Sequence, residues 1–155
     1  MFPSVLSAIE ELHDGEQTIW FTGHSLGGAP AMPAAAWLHF EDPELSAQGV
    51  YTFGQPRTCD DALARAYDEA LRGRTFRVVN NNDVVAQVPP EPVFRHVKSL
   101  RYIDSGGKVH ESVPAVSELL DRGKGLTADP FAPAGDGIRD HSMKAYVAAP
   151  EKNLP

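Results

Sequence analysis

The hydrophobic residues of the chain fall into short runs that are separated by turn-forming or charged residues. The runs are rich in β-branched and aromatic residues, and such runs between turn signals are typical of buried strands. The pattern predicts strands at residues 18–22, 50–53, 75–79 and 97–103.

Between the strands, apolar residues recur at the spacing of a helix that buries one face. Asp60 stands where a side-chain oxygen can cap the helix that follows it. Because helices and strands alternate, we predict an α/β fold with a mostly parallel sheet, right-handed crossovers and flanking helices. The predicted helices span residues 5–14, 26–40, 60–72, 115–122 and a short segment after residue 141.

Two prolines interrupt the second predicted helix. Proline lacks a backbone donor and clashes with the carbonyl four residues earlier, at about 3 kcal/mol or more in a helix interior. Pro30 falls near the end of the first turn, where a missing donor matters less, but Pro33 lies further in. We therefore expect a kinked or delayed helix whose regular portion runs from Ala34 to Phe40.

The motif Gly23-His24-Ser25-Leu26-Gly27 lies between a predicted strand and a predicted helix. A sharp strand-to-helix turn lifts a serine hydroxyl clear of the sheet, so Ser25 is a candidate nucleophile. The turn is crowded, and we expect Gly23 and Gly27 to supply its positions without side chains. The backbone N–H of Leu26 would point at an oxyanion from the helix N-terminus. The alternative is a glycine-rich connection without chemistry.

A nucleophilic serine needs an acid and a base later in the chain, in the order serine, acid, histidine. Asp83 is the candidate acid because it follows the predicted strand 75–79 and its asparagine-rich end. A loop at that end of a parallel strand lies where ligands bind in such folds. A polar residue of an Asx turn is the alternative for Asp83.

Three histidines follow Asp83 in the chain, and one of them is expected to act as the base. His96 leads into a predicted strand, and His110 lies beside a polar glycine turn. His141 precedes a short terminal helix, where it can reach over the sheet edge to Ser25, so it is the preferred candidate. His110 stays open as the second choice.

Charge is distributed unevenly along the 155 residues, which carry a net charge of −7 and are expected to form one domain. Residues 1–56 contain seven acidic residues and no Lys or Arg. This acidic first third argues against nucleic acid or an anionic membrane as a partner. Cys59 is the sole cysteine, so no internal disulfide can form. No histidine pair has ligand spacing, and we expect neither a metal nor a cofactor.

Targeting signals are not apparent in the sequence. Met1 is not followed by a basic segment and an apolar core, so we expect no signal peptide and a cytoplasmic location if Met1 is the true start. No apolar run approaches the roughly 18 residues that a membrane-spanning helix needs.

Four separated motifs give the chain a resemblance to class 3 lipases, the family of fungal-type triacylglycerol lipases and related esterases. The match extends from about residue 16 to residue 148. It implies an α/β-hydrolase fold and ester hydrolysis through an acyl-enzyme, with Ser25 as nucleophile, Asp83 as acid and His141 as base. The motifs are residues 23–28 (GHSLGG), 52–57 (TFGQPR), 76–80 (FRVVN) with Asp83, and Asp140-His141 with Tyr146.

The same resemblance implies that residues 1–155 form the C-terminal portion of a lipase-type domain. In relatives, the N-terminal half supplies early strands, a lid and a second oxyanion donor. We therefore hold two hypotheses for this chain. The first is a serine ester hydrolase acting on acylglycerols or other carboxylic esters. The second is a weakly active or inactive truncated domain that self-associates through an open sheet edge.

Overall fold

A five-stranded sheet forms the centre of the computed structural model, which describes residues 2–112 and 135–152. The strands lie in the sheet in their order along the chain, β1-β2-β3-β4-β5. Their bounds are β1 Trp20–His24, β2 Gly49–Phe53, β3 Thr75–Asn80, β4 Leu100–Ile103 and β5 Val109–His110.

Five helices accompany the sheet in the described ranges. The second begins directly after a single 3-10 turn at Ser25–Gly27. The predicted helix at 115–122 lies outside the described residues. The helices are α1 Phe2–Leu12, α2 Gly28–Glu41, α3 Asp61–Leu71, α4 Gly135–Asp140 and α5 Met143–Glu151.

Strands β1 to β4 are parallel to one another, and β5 pairs antiparallel with β4. The predicted α/β class with a mostly parallel sheet is therefore confirmed. Since parallel strands end at the same edge of a sheet, the residues after His24, Phe53 and Asn80 lie along one edge. That carboxyl edge carries Ser25, Gly54 and Asp83, and His141 reaches it from the last part of the chain.

The main core lies between the sheet and helices α2 and α3. Tyr67 of α3 is fully buried, and its hydroxyl shares a 2.8 Å hydrogen bond with Thr75 Oγ1 at the start of β3. The Asp60 side chain accepts a 2.8 Å bond from Leu63 N, so the predicted cap of α3 is confirmed. The buried cluster comprises Met32, Ala35, Ala36, Ala47, Val50, Cys59, Ala64, Tyr67, Leu71 and Val97.

Two strands begin later than the sequence predicted. The strand expected at 18–22 is β1 at Trp20–His24, because its pairing with β2 starts at Trp20 and continues through His24 into the turn. The strand expected at 97–103 starts at Leu100, because the Lys98 backbone N–H donates to Asp68 instead of to a neighbouring strand. Local hydrophobicity does not reveal these competing partners.

The first helix also has different bounds from those predicted, ending at Leu12 instead of residue 14. Asp14 Oδ1 accepts hydrogen bonds from the backbone N–H groups of Glu16 and Gln17. Gly15 adopts a positive φ of 88°, which reverses the chain beyond the helix. The side-chain hydrogen bonds of this turn form in place of those of a further helical turn, so α1 ends at Leu12.

The expectation of a delayed second helix is wrong, since α2 starts at Gly28 and runs through both prolines to Glu41. Pro30 lies in the first turn, where backbone N–H groups have no partner within the helix. Pro33 is flanked by buried residues, and their packing offsets the missing hydrogen bond. The buried residues of α2 are Gly28, Ala31, Met32, Ala34, Ala35, Ala36 and Leu38.

Helices long and apolar enough to cross a membrane do not occur in the part of the chain that the structure describes.

We predict that Pro33→Ala stabilises the protein. The change removes the interior proline cost of about 3 kcal/mol, part of which the packing around Pro33 already offsets, and gives up roughly 0.4–1 kcal/mol of restriction on the unfolded chain. A net gain of about 1–2 kcal/mol should raise the melting temperature by about 3–6 °C in calorimetry. Pro30→Ala is the matched control and should change it less. Equal shifts for the two variants would contradict this reading of α2.

Candidate active site

The turn after β1 holds Ser25 in a strained backbone conformation with φ 55°. A residue with a side chain adopts this left-handed region at a cost of about 1–2 kcal/mol. A Cβ atom at Gly23 would lie 2.3 Å from the carbonyl oxygen of Gly27, so that position has no room for a side chain. At Gly28 a Cβ would lie 3.0 Å from Gln55 Cβ. Both glycines therefore allow the turn to close.

The expected role of Gly27 is wrong. Among the described residues, nothing lies within 4 Å of the place where its Cβ would stand. Gly27 belongs to the 3-10 turn and has an ordinary helical φ of −68°. The close approach is instead made by Gly28, one residue later, because α2 packs on the chain after β2 there.

Asp83 lies in the loop after β3, as the sequence predicted, and is almost fully buried. Its Oδ1 accepts a 2.9 Å bond from Val85 N, and its Oδ2 accepts a 2.5 Å bond from the Tyr146 hydroxyl. Donors on both oxygens compensate the loss of water around the carboxylate. The side chain is thus fixed in one orientation toward His141.

His141 lies between α4 and α5, and its ring connects the other two predicted site residues. Its Nδ1 is 2.9 Å from Asp83 Oδ2, and its Nε2 is 2.7 Å from Ser25 Oγ. A nitrogen that faces a carboxylate carries the proton, so Nδ1–H donates to Asp83 and Nε2 accepts from the serine hydroxyl. The structure therefore brings Ser25, Asp83 and His141 together in one connected chain of hydrogen bonds.

Gly54 lies against this chain at the end of β2, with a positive φ of 58°. A Cβ atom there would stand 2.5 Å from Asp83 Oδ2 and 2.8 Å from His141 Nδ1. Any side chain would separate the carboxylate from the imidazole. The space that Gly54 leaves empty is therefore part of the site.

His24 packs against the His141 ring. The two imidazoles stack with centroids 4.7 Å apart, and His24 Nε2 is 2.7 Å from the carbonyl oxygen of His141. Since a carbonyl only accepts, that nitrogen of His24 is a donor. The contact ties the residue before the serine to the loop that carries the imidazole.

Sequence interpretation gave no role to His24, Gly54 or the Tyr146 hydroxyl. Burial, followed by the hydrogen bond to Asp83, raises the pKa of Tyr146 well above its ordinary value. Tyr146 therefore stays a neutral donor to the carboxylate and also accepts a 3.1 Å bond from Asn80 N. Its place in the motif Asp140-His141 with Tyr146 is the sequence signal that could have identified it.

The other two candidate bases have partners elsewhere. His110 Nε2 is 2.8 Å from Asp104 Oδ2 in the turn between β4 and β5. His96 Nε2 is 2.7 Å from the carbonyl oxygen of Ala86. Burial, with a smaller contribution from Arg77, lowers the pKa of His96 to about 3. Neither imidazole contacts Ser25.

Leu26 follows Ser25 in the 3-10 turn, and its side chain is 77% exposed. Its backbone N–H belongs to the turn directly before α2, and the first amide groups of a helix have no partner within it. The predicted role as an oxyanion donor stays a prediction.

Cys59 lies in the buried core and outside the hydrogen-bonded chain of Ser25, His141 and Asp83. Burial raises the pKa of the Cys59 thiol to about 11, and its Sγ contacts the carbonyl oxygen of Arg95 at 3.2 Å. Such a thiol is a poor nucleophile at neutral pH. Within residues 2–112 and 135–152, no cluster of three or more potential metal ligands is found.

Comparison with known proteins gives consistent results. Residues 1–93 match the family described as Lipase (class 3). A triacylglycerol lipase of Nicotiana tabacum is 40% identical over 93 residues, which cover 54% of this chain and 16% of that lipase.

Solved structures of lipases resemble the fold. Lipase II from Rhizopus niveus aligns with a TM-score of 0.57 and 32% identity, over 68% of this chain and 40% of the lipase. A triacylglycerol lipase whose catalytic centre is described as a serine protease triad aligns with a TM-score of 0.57 and 31% identity. That alignment covers 70% of this chain and 41% of the lipase. The chain thus spans well under half the length of these relatives.

The buried neutral His96 predicts a specific loss of stability in acid. The folded protein keeps this imidazole uncharged down to about pH 3, whereas the unfolded chain protonates it below about 6.5. Protons therefore favour the unfolded state, and the free energy of unfolding falls by about 1.4 kcal/mol per pH unit between those values.

The His96→Gln variant keeps an N–H donor for Ala86 but cannot be protonated. Urea unfolding at pH 7 and pH 4.5 should show the wild type losing about 2–3 kcal/mol more than this variant. If the free energy of unfolding fell equally between pH 7 and pH 4.5 in the two proteins, a neutral His96 in the folded state would be ruled out.

Proposed function

The chain belongs to the class 3 lipase family and has its α/β-hydrolase fold, and from this premise we propose that it hydrolyses carboxylic esters of the acylglycerol type. The observation that carries the proposal is the His141 imidazole between Ser25 Oγ and Asp83. The relative described as having a serine protease triad supports the same assignment of roles.

We assign the nucleophile to Ser25 and the general base to His141. Ser25 Oγ attacks the ester carbonyl carbon while its proton passes to His141 Nε2 over the 2.7 Å hydrogen bond. The imidazolium is stabilised by the Asp83 carboxylate, which holds Nδ1–H at 2.9 Å. The proton then passes from Nε2 to the alkoxy oxygen, the ester C–O bond breaks, and the alcohol leaves an acylated Ser25.

Water completes the reaction by the same transfers in reverse. His141 Nε2 takes a proton from the water as its oxygen attacks the acyl carbonyl, and then returns that proton to Ser25 Oγ as the acid departs. An alcohol in place of water would give acyl transfer. The Leu26 N–H is the proposed donor to the oxyanion in both halves, since one such donor is worth about 2.7–4 kcal/mol.

Self-association is a second candidate activity, favoured by the outer edge of β1. No described strand pairs with that edge, and the Trp20 side chain on it is 57% exposed. A groove of about 760 Å³ lies beside it, away from Ser25, and is lined mainly by α1 and residues 17–19. The seven acidic and no basic residues of the segment 1–56 oppose contact between two copies of this surface.

Intact-mass measurement with a fluorophosphonate tests the hydrolase proposal. An activated serine displaces fluoride from phosphorus, so one phosphonyl group should add to the wild type and none to Ser25→Ala. Ser46 offers a matched control because its hydroxyl also lies 2.8 Å from a histidine nitrogen, that of His39. Ser46→Ala should label like the wild type. A folded wild type without label would refute the hydrolase proposal and favour self-association.

Tyr146→Phe should lower kcat for an ester substrate roughly 5- to 30-fold, because Asp83 loses one hydrogen bond worth about 1–2 kcal/mol. Tyr67→Phe is the control, since that hydroxyl also bonds a buried partner but lies in the core. Steady-state kinetics on both should find kcat reduced only in Tyr146→Phe. An unchanged kcat there would mean that the tyrosine does not support Asp83.

A further inference from the structure

The loop of Asp83 and the loop of His141 meet through Asp140. Asp140 Oδ2 accepts a 2.9 Å bond from Asn81 Nδ2 and a 3.2 Å bond from Asn82 N. The Asp140 carbonyl oxygen accepts a 3.0 Å bond from Asn80 Nδ2. Residues 80–83 therefore contact residues 140–141 along their whole length.

These contacts stabilise two features of the asparagine run, the backbone conformation of Asn81 and the backbone N–H of Asn82. Asn81 has a positive φ of 44°, a conformation that asparagine tolerates better than most residues with a side chain. The Asn82 backbone N–H, in the turn after β3, has the Asp140 carboxylate as its acceptor. Because a half-buried N–H without a partner costs about 1–3 kcal/mol, the carboxylate and the turn stabilise each other.

Distance requirements at the site explain why such a connection matters. The His141 ring must meet Asp83 at 2.9 Å and Ser25 at 2.7 Å at the same time. Asp83 and His141 lie on loops that are far apart in the sequence. Asn82 directly precedes Asp83, and Asp140 directly precedes His141. A displacement of about 1 Å between reacting groups can reduce a rate roughly 100-fold.

We propose that Asp140 is a positioning residue that sets the register of the His141 loop on the Asp83 loop for the ester hydrolysis proposed above. It acts through Asn81 and Asn82 and does not touch Ser25. Other contacts also hold the same loop: the Asn80 Nδ2 bond to the Asp140 carbonyl oxygen, the His24–His141 bond and the close approach of Gly137 to Val84. Removal of Asp140 should therefore slow catalysis without abolishing it.

The test compares Asp140→Ala, which removes the acceptor, with Asp140→Asn, which keeps one amide oxygen. Phosphonylation rates of Ser25 and kcat are measured per folded molecule on the full chain. We expect both quantities to fall roughly 10- to 100-fold in Asp140→Ala, with KM within about twofold, and to recover largely in Asp140→Asn. If Asp140 only stabilised the fold, we would expect neither a constant KM in Asp140→Ala nor recovery of the rate in Asp140→Asn.

Two further variants sharpen the comparison. Asp14→Ala removes a carboxylate that also accepts two backbone N–H bonds, those of Glu16 and Gln17 in the turn after α1, and it should keep the wild-type rate. Asn81→Gly removes the partner amide and suits a positive φ. In the double variant Asn81→Gly/Asp140→Ala, the labelling rate should fall by a smaller factor than the product of the factors measured for the two single variants. Multiplicative effects would overturn the proposed contact.

The remaining outcomes separate this inference from the function on which it rests. A wild type that takes up no label overturns both. A labelled wild type with Asp140→Ala at the same rate overturns the positioning role and leaves the hydrolase intact. Equal losses in Asp140→Ala and Asp140→Asn also overturn it, because they would point to the charge of Asp140 instead of its hydrogen bonds.

Discussion

The backbone of Ser25 is the constraint on which the arrangement of the site depends. Its φ of 55° directs the hydroxyl out of the turn between β1 and α2. The conformation persists because Gly23 and Gly28 let the strand and helix approach, and because α2 buries half of its residues. The strain at one residue is thus balanced by the packing of a whole helix on the sheet.

The parallel sheet supplies the second requirement, a common edge for residues that are far apart in sequence. The turn after β1 presents Ser25, the end of β2 presents Gly54, and the loop after β3 presents Asp83. His141 reaches this edge from the last part of the chain. Strand order therefore decides which side chains can meet, and the hydrogen bonds among loops decide how accurately they do.

Sequence was informative where a short motif, its place between predicted elements or the order of residues along the chain points to one kind of site. The motif around Ser25, the loop residue Asp83 and the chain order of His141 identified three side chains that the structure brings together. The α/β class followed from alternating periodicity and is confirmed. Local rules failed where distant packing intervenes, as in the helix start at Gly28, which burial supports despite Pro33.

Contacts between distant loops could not be predicted from one sequence. The Tyr146–Asp83 and Asp140–Asn81 bonds depend on which side chains face each other after folding. In the sequence alone, the asparagine run 80–82 indicates an ordinary turn, and Asp140 before His141 indicates the start of a helix. Only the folded arrangement distinguishes a turn residue from one that holds two loops together.

The most direct test of the Asp83–His141–Ser25 arrangement is a proton NMR spectrum of the protein in water. The Nδ1–H of His141, hydrogen-bonded to a buried carboxylate on a mostly buried side chain, should give a low-field, slowly exchanging resonance. That resonance should vanish in His141→Gln and persist in His110→Gln, whose imidazole bonds a different aspartate. A wild-type spectrum with no resonance that depends on His141 would contradict the arrangement.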